Sequence, residues 1–229
     1  MYGTTSIGGA NGGGTLFEWN PASKRYTTLH HFDCAKGCNP KEGISYANGK
    51  LYGITNKGAK FDNGGIFEWD IHASALSSKI EFGKLIRINC LTYHNGKFYG
   101  VEEYAGTYAR IFEWEPTTNV FTRKADFNLG STFNFQGALT YADGKFYGTT
   151  SQGGTTGYGI LFEWNLATNQ YRKLWDFSLE KGHQPTGKLE FVEGKLYGTT
   201  RLGGGGGNGV IFEWNTLTEV YMNKYNFIL

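Results

Sequence analysis

The residues best equipped for chemistry fall in one run, Val101-Glu102-Glu103-Tyr104-Ala105-Gly106-Thr107-Tyr108-Ala109-Arg110, which holds two acids, two tyrosines and an arginine. Aromatic faces beside hydrogen-bonding groups suit a sugar ring or an extended peptide, each of which offers an apolar face with polar edges. The segments Phe133-Asn134-Phe135-Gln136 and His183-Gln184 add aromatic and polar groups, as do Phe61 and Asp62. Catalysis asks for more. A glycosidase needs two carboxylates roughly 5–10 Å apart across the scissile bond, and no spacing among Glu42, Asp62, Glu102, Glu103 and Glu180 selects such a pair. A Gly-x-Ser-x-Gly elbow is absent, and the 5 histidines form no recognisable ligand set.

The glycine-rich loops Gly8-Gly9-Ala10-Asn11-Gly12-Gly13-Gly14 and Gly203 to Gly207 invite a phosphate-binding reading. That chemistry needs a following Gly-Lys-Ser/Thr and a helix N-terminus, and neither follows. The stretch from His30 to Cys38 offers His30, His31, Cys34 and Cys38 as metal ligands. On a strand His30 and His31 point to opposite faces, so at most three of the four could converge. A small disulfide between Cys34 and Cys38, or two free thiols, is the expectation, with no metal and no cofactor. Cys90 reads as a small core residue.

The elements that position these residues follow from a repeat. Phe-Glu-Trp preceded by an aliphatic residue occurs five times, at Phe17, Phe67, Phe112, Phe162 and Phe212, and takes five of the 6 tryptophans. Tyr-Gly recurs at Tyr2, Tyr52, Tyr99, Tyr147 and Tyr197, with spacings of 50, 47, 48 and 50. Five units of about 49 residues therefore account for the 229-residue chain. Each unit reads as four short strands, exemplified by Gly137–Tyr141, Lys145–Thr150, Ile160–Asn165 and Tyr171–Phe177. Asn48-Gly49, Asn95-Gly96, Asp143-Gly144 and Glu193-Gly194 mark tight hairpins, because these pairs tolerate positive φ. No segment keeps a 3.6-residue amphipathic period, so almost no helix is expected.

Four strands per unit of this length, radially repeated, define an all-β fold, a five-bladed β-propeller of ~49-residue four-stranded repeats. A single domain over residues 1–229 is expected, with blades at about 1–33, 43–82, 88–127, 137–177 and 187–229. Nothing like Gly137–Tyr141 precedes Tyr2, so the first blade lacks its inner strand and the strand count is 19. The chain is then a portion of a longer protein, or its first blade is naturally short, and the incomplete blade is a place for assembly.

The run Asn165-Leu166-Ala167-Thr168-Asn169-Gln170-Tyr171 resembles the kelch pattern of an acidic or amide residue, a Thr and an aromatic after the third strand. Asn20, Ser23 and Tyr26 match it, as do Glu115, Thr118 and Phe121, and Asn215, Thr218 and Tyr221. Leu196-Tyr197-Gly198-Thr199-Thr200 followed by Gly203-Gly204 also resembles the bacterial tandem repeats called GloVer. Both resemblances imply a propeller and neither fixes a function. The kelch likeness implies a protein-interaction module, and the GloVer likeness implies a bacterial cell-surface or exported protein.

Positions repeated in every blade are architecture first. Glu18, Glu68, Glu113, Glu163 and Glu213 resemble a ring of carboxylates, yet each is expected to satisfy one hydrogen-bonding pattern in its own blade. Departures from the repeat point to a site on the rim that carries the longer loops. Its candidates are Glu102, Glu103, Tyr104, Tyr108, Arg110, Phe133, Asn134, Gln136, His183 and Gln184. The expected function is non-catalytic binding of a protein or glycan through that rim. The alternatives are a lectin with repeated inter-blade pockets and a polysaccharide-active enzyme. Twenty-two basic against 20 acidic residues give a net charge of +2, too even for a nucleic-acid surface. No apolar run approaches the ~18 residues of a membrane helix, and Met1-Tyr2-Gly3-Thr4-Thr5 shows no basic-then-apolar leader.

Overall fold

Asn48 and Gly49 take φ of 52° and 76°, and Asp143 and Gly144 take 48° and 80°, the paired positive values of a two-residue hairpin. Asn95-Gly96 and Glu193-Gly194 adopt the same geometry. These turns punctuate a computed structural model that describes residues 1–83, 86–104, 108–127 and 134–228, with no side-chain description for Glu42 and Gln136. Phe133 therefore lies outside the described residues.

Five antiparallel sheets follow in chain order. The first has three strands, β1 (Tyr2–Thr5), β2 (Thr15–Asn20) and β3 (Arg25–His31). The second runs β4 (Cys38–Ala47), β5 (Lys50–Lys57), β6 (Gly65–Asp70) and β7 (Ala75–Glu81). In the third, β8 (Ile86–Ile88) and β9 (Thr92–His94) both pair with β10 (Lys97–Tyr104), followed by β11 (Tyr108–Glu115) and β12 (Val120–Phe127). The fourth runs β13 (Phe135–Ala142), β14 (Lys145–Thr150), β15 (Ile160–Asn165) and β16 (Gln170–Asp176). The fifth runs β17 (His183–Val192), β18 (Lys195–Leu202), β19 (Val210–Asn215) and β20 (Val220–Asn226). No helix occurs among the described residues. The chain is an all-β propeller whose first blade lacks its inner strand. The third inner strand is split at Asn89–Leu91, so twenty strands appear among the described residues where nineteen were expected.

Two compact units emerge, Met1–Phe98 with Trp114–Phe121, and Tyr99–Glu113 with Thr122–Leu229. In the first unit Leu16, Phe32, Cys38, Leu51, Phe67 and Trp69 form a core cluster between neighbouring sheets. In the second, Tyr147, Leu161, Phe177, Leu196, Phe212 and Trp214 do the same. Both faces of the central strands are therefore covered, as β6 and β15 show by being buried at five of six positions, Glu68 and Glu163 among them.

The inner strands start earlier than the sequence suggested. Phe135 pairs with Thr150 and His183 with Leu202, each ahead of a bulge that breaks the register near Gly137 and Gly187. Phe135, Gln136, His183 and Gln184 therefore belong to strands, not to links between blades. The residues after the third strand make a turn: Asn165 Oδ1 accepts the N–H groups of Ala167 and Thr168, both at 3.0 Å, and Asn169 supplies the left-handed φ of 58°. Cys34 and Cys38 form a disulfide with Cα atoms 4.7 Å apart, and Cys90 is free and buried.

The Tyr-Gly and Phe-Glu-Trp signatures explain each other. Gly148 lies directly opposite Phe162 on adjacent strands, and the phenyl ring lies over the glycine backbone. A Cβ on Gly148 would stand 2.5 Å from Phe162 Cζ, and the same conflict exists at Gly53 with Phe67 and at Gly198 with Phe212. Gly148→Ala should lower the unfolding free energy by about 1–3 kcal/mol through overpacking. A urea titration that leaves the midpoint unchanged would refute the ring-on-glycine contact as a packing constraint.

Candidate functional site

In four copies a threonine near the end of the second strand accepts a backbone N–H ten residues downstream. Thr15 N donates to Thr5 Oγ1 at 3.0 Å, Gly65 N to Thr55 at 3.0 Å, Ile160 N to Thr150 at 3.2 Å and Val210 N to Thr200 at 3.0 Å. Between them the glycine loops close on their own backbone, as Gly159 N donating to Gly153 O at 3.1 Å and Gly209 N donating to Gly203 O at 3.0 Å show. These loops are held scaffolds made of positive-φ glycines.

The third copy breaks this pattern. Glu102 stands where Thr150 stands in the fourth, and the intervening loop is shorter, so β10 and β11 run on to Tyr104 and Tyr108. Glu102 and Glu103 were expected in an exposed loop. They lie instead on β10 and are buried, because the shortened loop extends the strand pairing over them. Glu102 accepts two hydrogen bonds from the Arg123 guanidinium, at 2.9 and 3.1 Å, and one from the Tyr104 hydroxyl at 3.4 Å. Glu103 accepts the Phe135 N–H at 2.6 Å and so fastens the start of β13. Both acids hold structure.

Above them is an aromatic plate. The Tyr104 and Tyr108 rings stack at 4.3 Å with 13° between their planes. The Arg110 guanidinium sits 5.8 Å from each ring centroid. Arg110 is anchored by hydrogen bonds to both carboxylate oxygens of Asp126. The hydrogen bond to Asp126 raises the Arg110 pKa, and the one to Glu102 raises that of Arg123, so both guanidiniums stay charged. Tyr108 is exposed and the Arg123 side chain is half-exposed. The sequence reading found Tyr104, Tyr108 and Arg110 but missed Arg123 and Asp126. They align with Lys173 and Asp176, which secure the glycine loop of the fourth copy: Asp176 accepts the Thr155 N–H at 2.8 Å and the Lys173 ammonium at 2.5 Å. Only the third and fourth copies carry a base and an acid at these two positions, so the signal was that shared pair, left in the third copy without its loop.

The remaining candidates make contacts of their own. His183 is buried against the Tyr158 ring at 4.8 Å, and Gln184 N donates to the Tyr158 carbonyl at 3.1 Å. Burial holds the His183 imidazole below its ordinary pKa. Asn134 serves through its carbonyl, which accepts the Ser151 N–H at 2.7 Å. Gln136 registers with Thr149. Asp62 accepts the Gly58 N–H at 2.9 Å, and Phe61 is exposed beneath Lys60. His30 packs on Trp69, and His31 Nδ1 accepts the Ala10 N–H at 3.1 Å, so both histidines beside the disulfide are structural.

Four of the five repeated glutamates, Glu68, Glu113, Glu163 and Glu213, are paired within their own blades. Glu68 bonds Lys50 at 2.7 Å and lies 3.5 Å from Lys79, and Glu163 bonds Lys145 and Arg172, both at 2.9 Å. Glu113 takes the Tyr99 hydroxyl at 3.1 Å with Lys124 at 3.4 Å. Glu213 takes the Tyr197 hydroxyl at 2.9 Å with Lys195 at 3.1 Å and Lys224 at 3.3 Å. Burial raises the pKa of Glu68 and Glu213, but the hydrogen bonds outweigh it and hold both below the ordinary 4.5.

The consecutive antiparallel sheets and their repeated cores define a tandem-repeat β-propeller. The family model of the Gloeobacter/Verrucomicrobia repeat matches residues 1–132 and 87–228, and the chain belongs to that family. Among curated proteins none matches in sequence. Similar solved structures include a nidogen/laminin complex, at 12% identity and a TM-score of 0.63 over 95% of this chain and 73% of that one. TolB from Acinetobacter baumannii is similar at 12% identity and a TM-score of 0.62, over 100% of this chain and 53% of that one. An oligogalacturonate lyase in complex with manganese is similar at 10% identity and a TM-score of 0.57, over 87% of this chain and 53% of that one. The chain thus spans about half the length of the last two, and at such identities the likeness is one of fold.

The paired glutamates set an acid limit. A carboxylate whose folded pKa lies below its unfolded value stabilises the fold above that value and stops doing so as pH falls through the folded one. Stability should therefore hold above about pH 4.5, where Glu68 and Glu213 are ionised in both states, and drop on acidification below it. Urea midpoints taken from pH 7 to pH 3 check this, with Glu213→Gln expected to blunt the fall. A flat profile through pH 4 would show that the pairs contribute nothing.

Proposed function

We propose that this protein is a non-catalytic β-propeller that binds a protein partner through the β10–β11 hairpin of its third sheet. The observation that carries this reading is the plate of stacked Tyr104 and Tyr108 with Arg110 against them, held in place by Asp126. Tyrosine and arginine are the residues that most often anchor protein interfaces, because they bury large amphipathic surfaces at little cost in side-chain freedom. Arg110 and the tyrosines are already ordered by these contacts, which lowers the entropic cost of binding.

Two observations weigh against the alternatives. The unrepeated acids beside the plate are engaged, Glu102 by Arg123 and Glu103 by a backbone amide, so neither is an open carboxylate of the kind glycoside chemistry pairs. The positions that the repeat would offer as inter-blade sugar pockets are filled with buried rings, including Tyr52 against Phe98 and Trp114, and Tyr99 against Phe146 and Trp164.

The test is a displayed peptide library selected on the immobilised chain, run beside a glycan array and repeated with a Tyr108→Ala, Arg110→Ala double variant. Selected peptides should lose about 30-fold or more in affinity on the double variant, the loss expected for an interface anchor. Peptides that bind the variant equally well would move the site off this hairpin. Selective glycan binding with no peptide selected would overturn the reading in favour of a lectin.

A further inference from the structure

Two links between neighbouring sheets follow one course, and only one of them carries a disulfide. Residues 32–40 lead from β3 into β4, and residues 177–185 lead from β16 into β17. Each link starts with an N–H donated back to a glycine carbonyl, from Phe32 to Gly14 and from Phe177 to Gly159, both at 3.0 Å. The next side chain then caps the turn. Asp33 Oδ1 accepts the Lys36 N–H at 3.1 Å, and Ser178 Oγ accepts the Lys181 N–H at 3.3 Å. Gly37 and Gly182 follow at φ of 111° and 95°, and Asn39 and Gln184 at 54° and 53°.

Each link is also held by the loops on either side of it. Cys34 O accepts the Ala59 N–H at 3.0 Å, and Asn39 N donates to Gly13 O at 2.8 Å. In the other link Leu179 O accepts the Gly204 N–H at 2.9 Å, and Gln184 N donates to Tyr158 O at 3.1 Å. Leu179 and His183 thus stand where Cys34 and Cys38 stand. Their exposure matches as well: Cys34 and Leu179 are exposed, and Cys38 and His183 are buried.

The second link keeps this course with hydrogen bonds and no covalent bond, so the disulfide is not what shapes the first. A ring closed over a separation of four residues also constrains the unfolded chain less than a long ring does. What sets this disulfide apart is the unequal access of its two residues. Cys34 faces solvent, whereas Cys38 is 0% exposed in the cluster with Leu16, Phe32, Leu51, Phe67 and Trp69. Reduction leaves Cys38 there as a small apolar side chain, which suits that cluster.

We propose that Cys34–Cys38 is a thiol–disulfide exchange site for an external dithiol, with Cys34 as the sulfur that meets the dithiol and Cys38 as its buried partner. A thiolate of the dithiol attacks Cys34 Sγ, the bond to Cys38 breaks, and Cys38 leaves with the bonding electrons and takes a proton. The second thiolate of the dithiol then attacks the dithiol's own sulfur in the mixed disulfide, and Cys34 leaves as a thiol. The protein disulfide gains two electrons and two protons, and the dithiol becomes a disulfide. The reverse sequence restores the bond.

The test uses the intact, folded chain. It is treated with dithiothreitol, pulsed with excess iodoacetamide in the absence of denaturant, and mapped by peptide mass. Cys34 should be alkylated at least about tenfold faster than Cys38, because access governs thiol reactivity. Cys90, a buried thiol, should stay unalkylated, and the far-ultraviolet circular dichroism should not change. With glutathione in place of dithiothreitol and a quench of iodoacetamide in urea, the glutathione adduct should map to Cys34 and the carbamidomethyl group to Cys38. A disulfide that dithiothreitol opens only after urea unfolds the chain would overturn the proposal. So would alkylation of Cys90 together with Cys34 and Cys38, which marks unfolding on reduction, or a glutathione adduct on Cys38.

Discussion

A phenyl ring lying on a glycine backbone is the contact on which the rest of this structure depends. Because Gly148 faces Phe162 and has no Cβ, the ring reaches the backbone of β14 and is fully buried. That closeness fixes the register of the two strands, and a slip by one residue would exchange the two faces of the sheet. With the register fixed, Tyr147 falls opposite Glu163 on one face, while Phe146 falls opposite Trp164 on the other. The first face then carries a glutamate that needs a base and a hydroxyl, and the second carries the rings that the neighbouring sheet's tyrosine covers. Hydrogen bonding within a blade and packing between blades are thus two results of one register.

The architecture was legible because the repeat writes this register five times. Asn-Gly and Asp-Gly pairs announced hairpins whose positive φ values follow from their residue types, and the absence of an inner-strand sequence before Tyr2 announced a three-stranded first sheet. Strand ends were harder to read. Each inner strand passes a bulge near Gly137 or Gly187 and then resumes pairing, and alternation across a bulge loses phase. His183 and Gln184 consequently read as a link although they pair in a strand. The disulfide stayed ambiguous in sequence because a separation of four residues suits a bond and two free thiols alike.

The candidate site was only half legible, for a physical reason. Tyr104 and Arg110 stood out because no other copy has them, and Tyr108 because only the fourth copy, with Tyr158, has a tyrosine at its position. Arg123 and Asp126 were hidden because the fourth copy has a base and an acid at the same two positions, and a shared pair reads as architecture. In the fourth copy the corresponding Lys173 and Asp176 bind each other and the glycine loop. Without that loop, an acid and a base at the same positions have no backbone to hold. Arg123 turns to the buried Glu102, and Asp126 turns to Arg110.

The exchange is balanced in charge. Glu102 is fully buried, and a carboxylate there without a guanidinium would be strongly disfavoured. The acid that replaces the threonine of the other copies is therefore matched within its own blade by Arg123, which holds no glycine loop there. Shortening the loop, burying the acid and freeing the base are one coupled change. Its product is an ordered aromatic and cationic surface on strands, set where the other copies carry glycines. Repetition supplies the rigid frame, and a single concerted departure from it supplies chemical individuality.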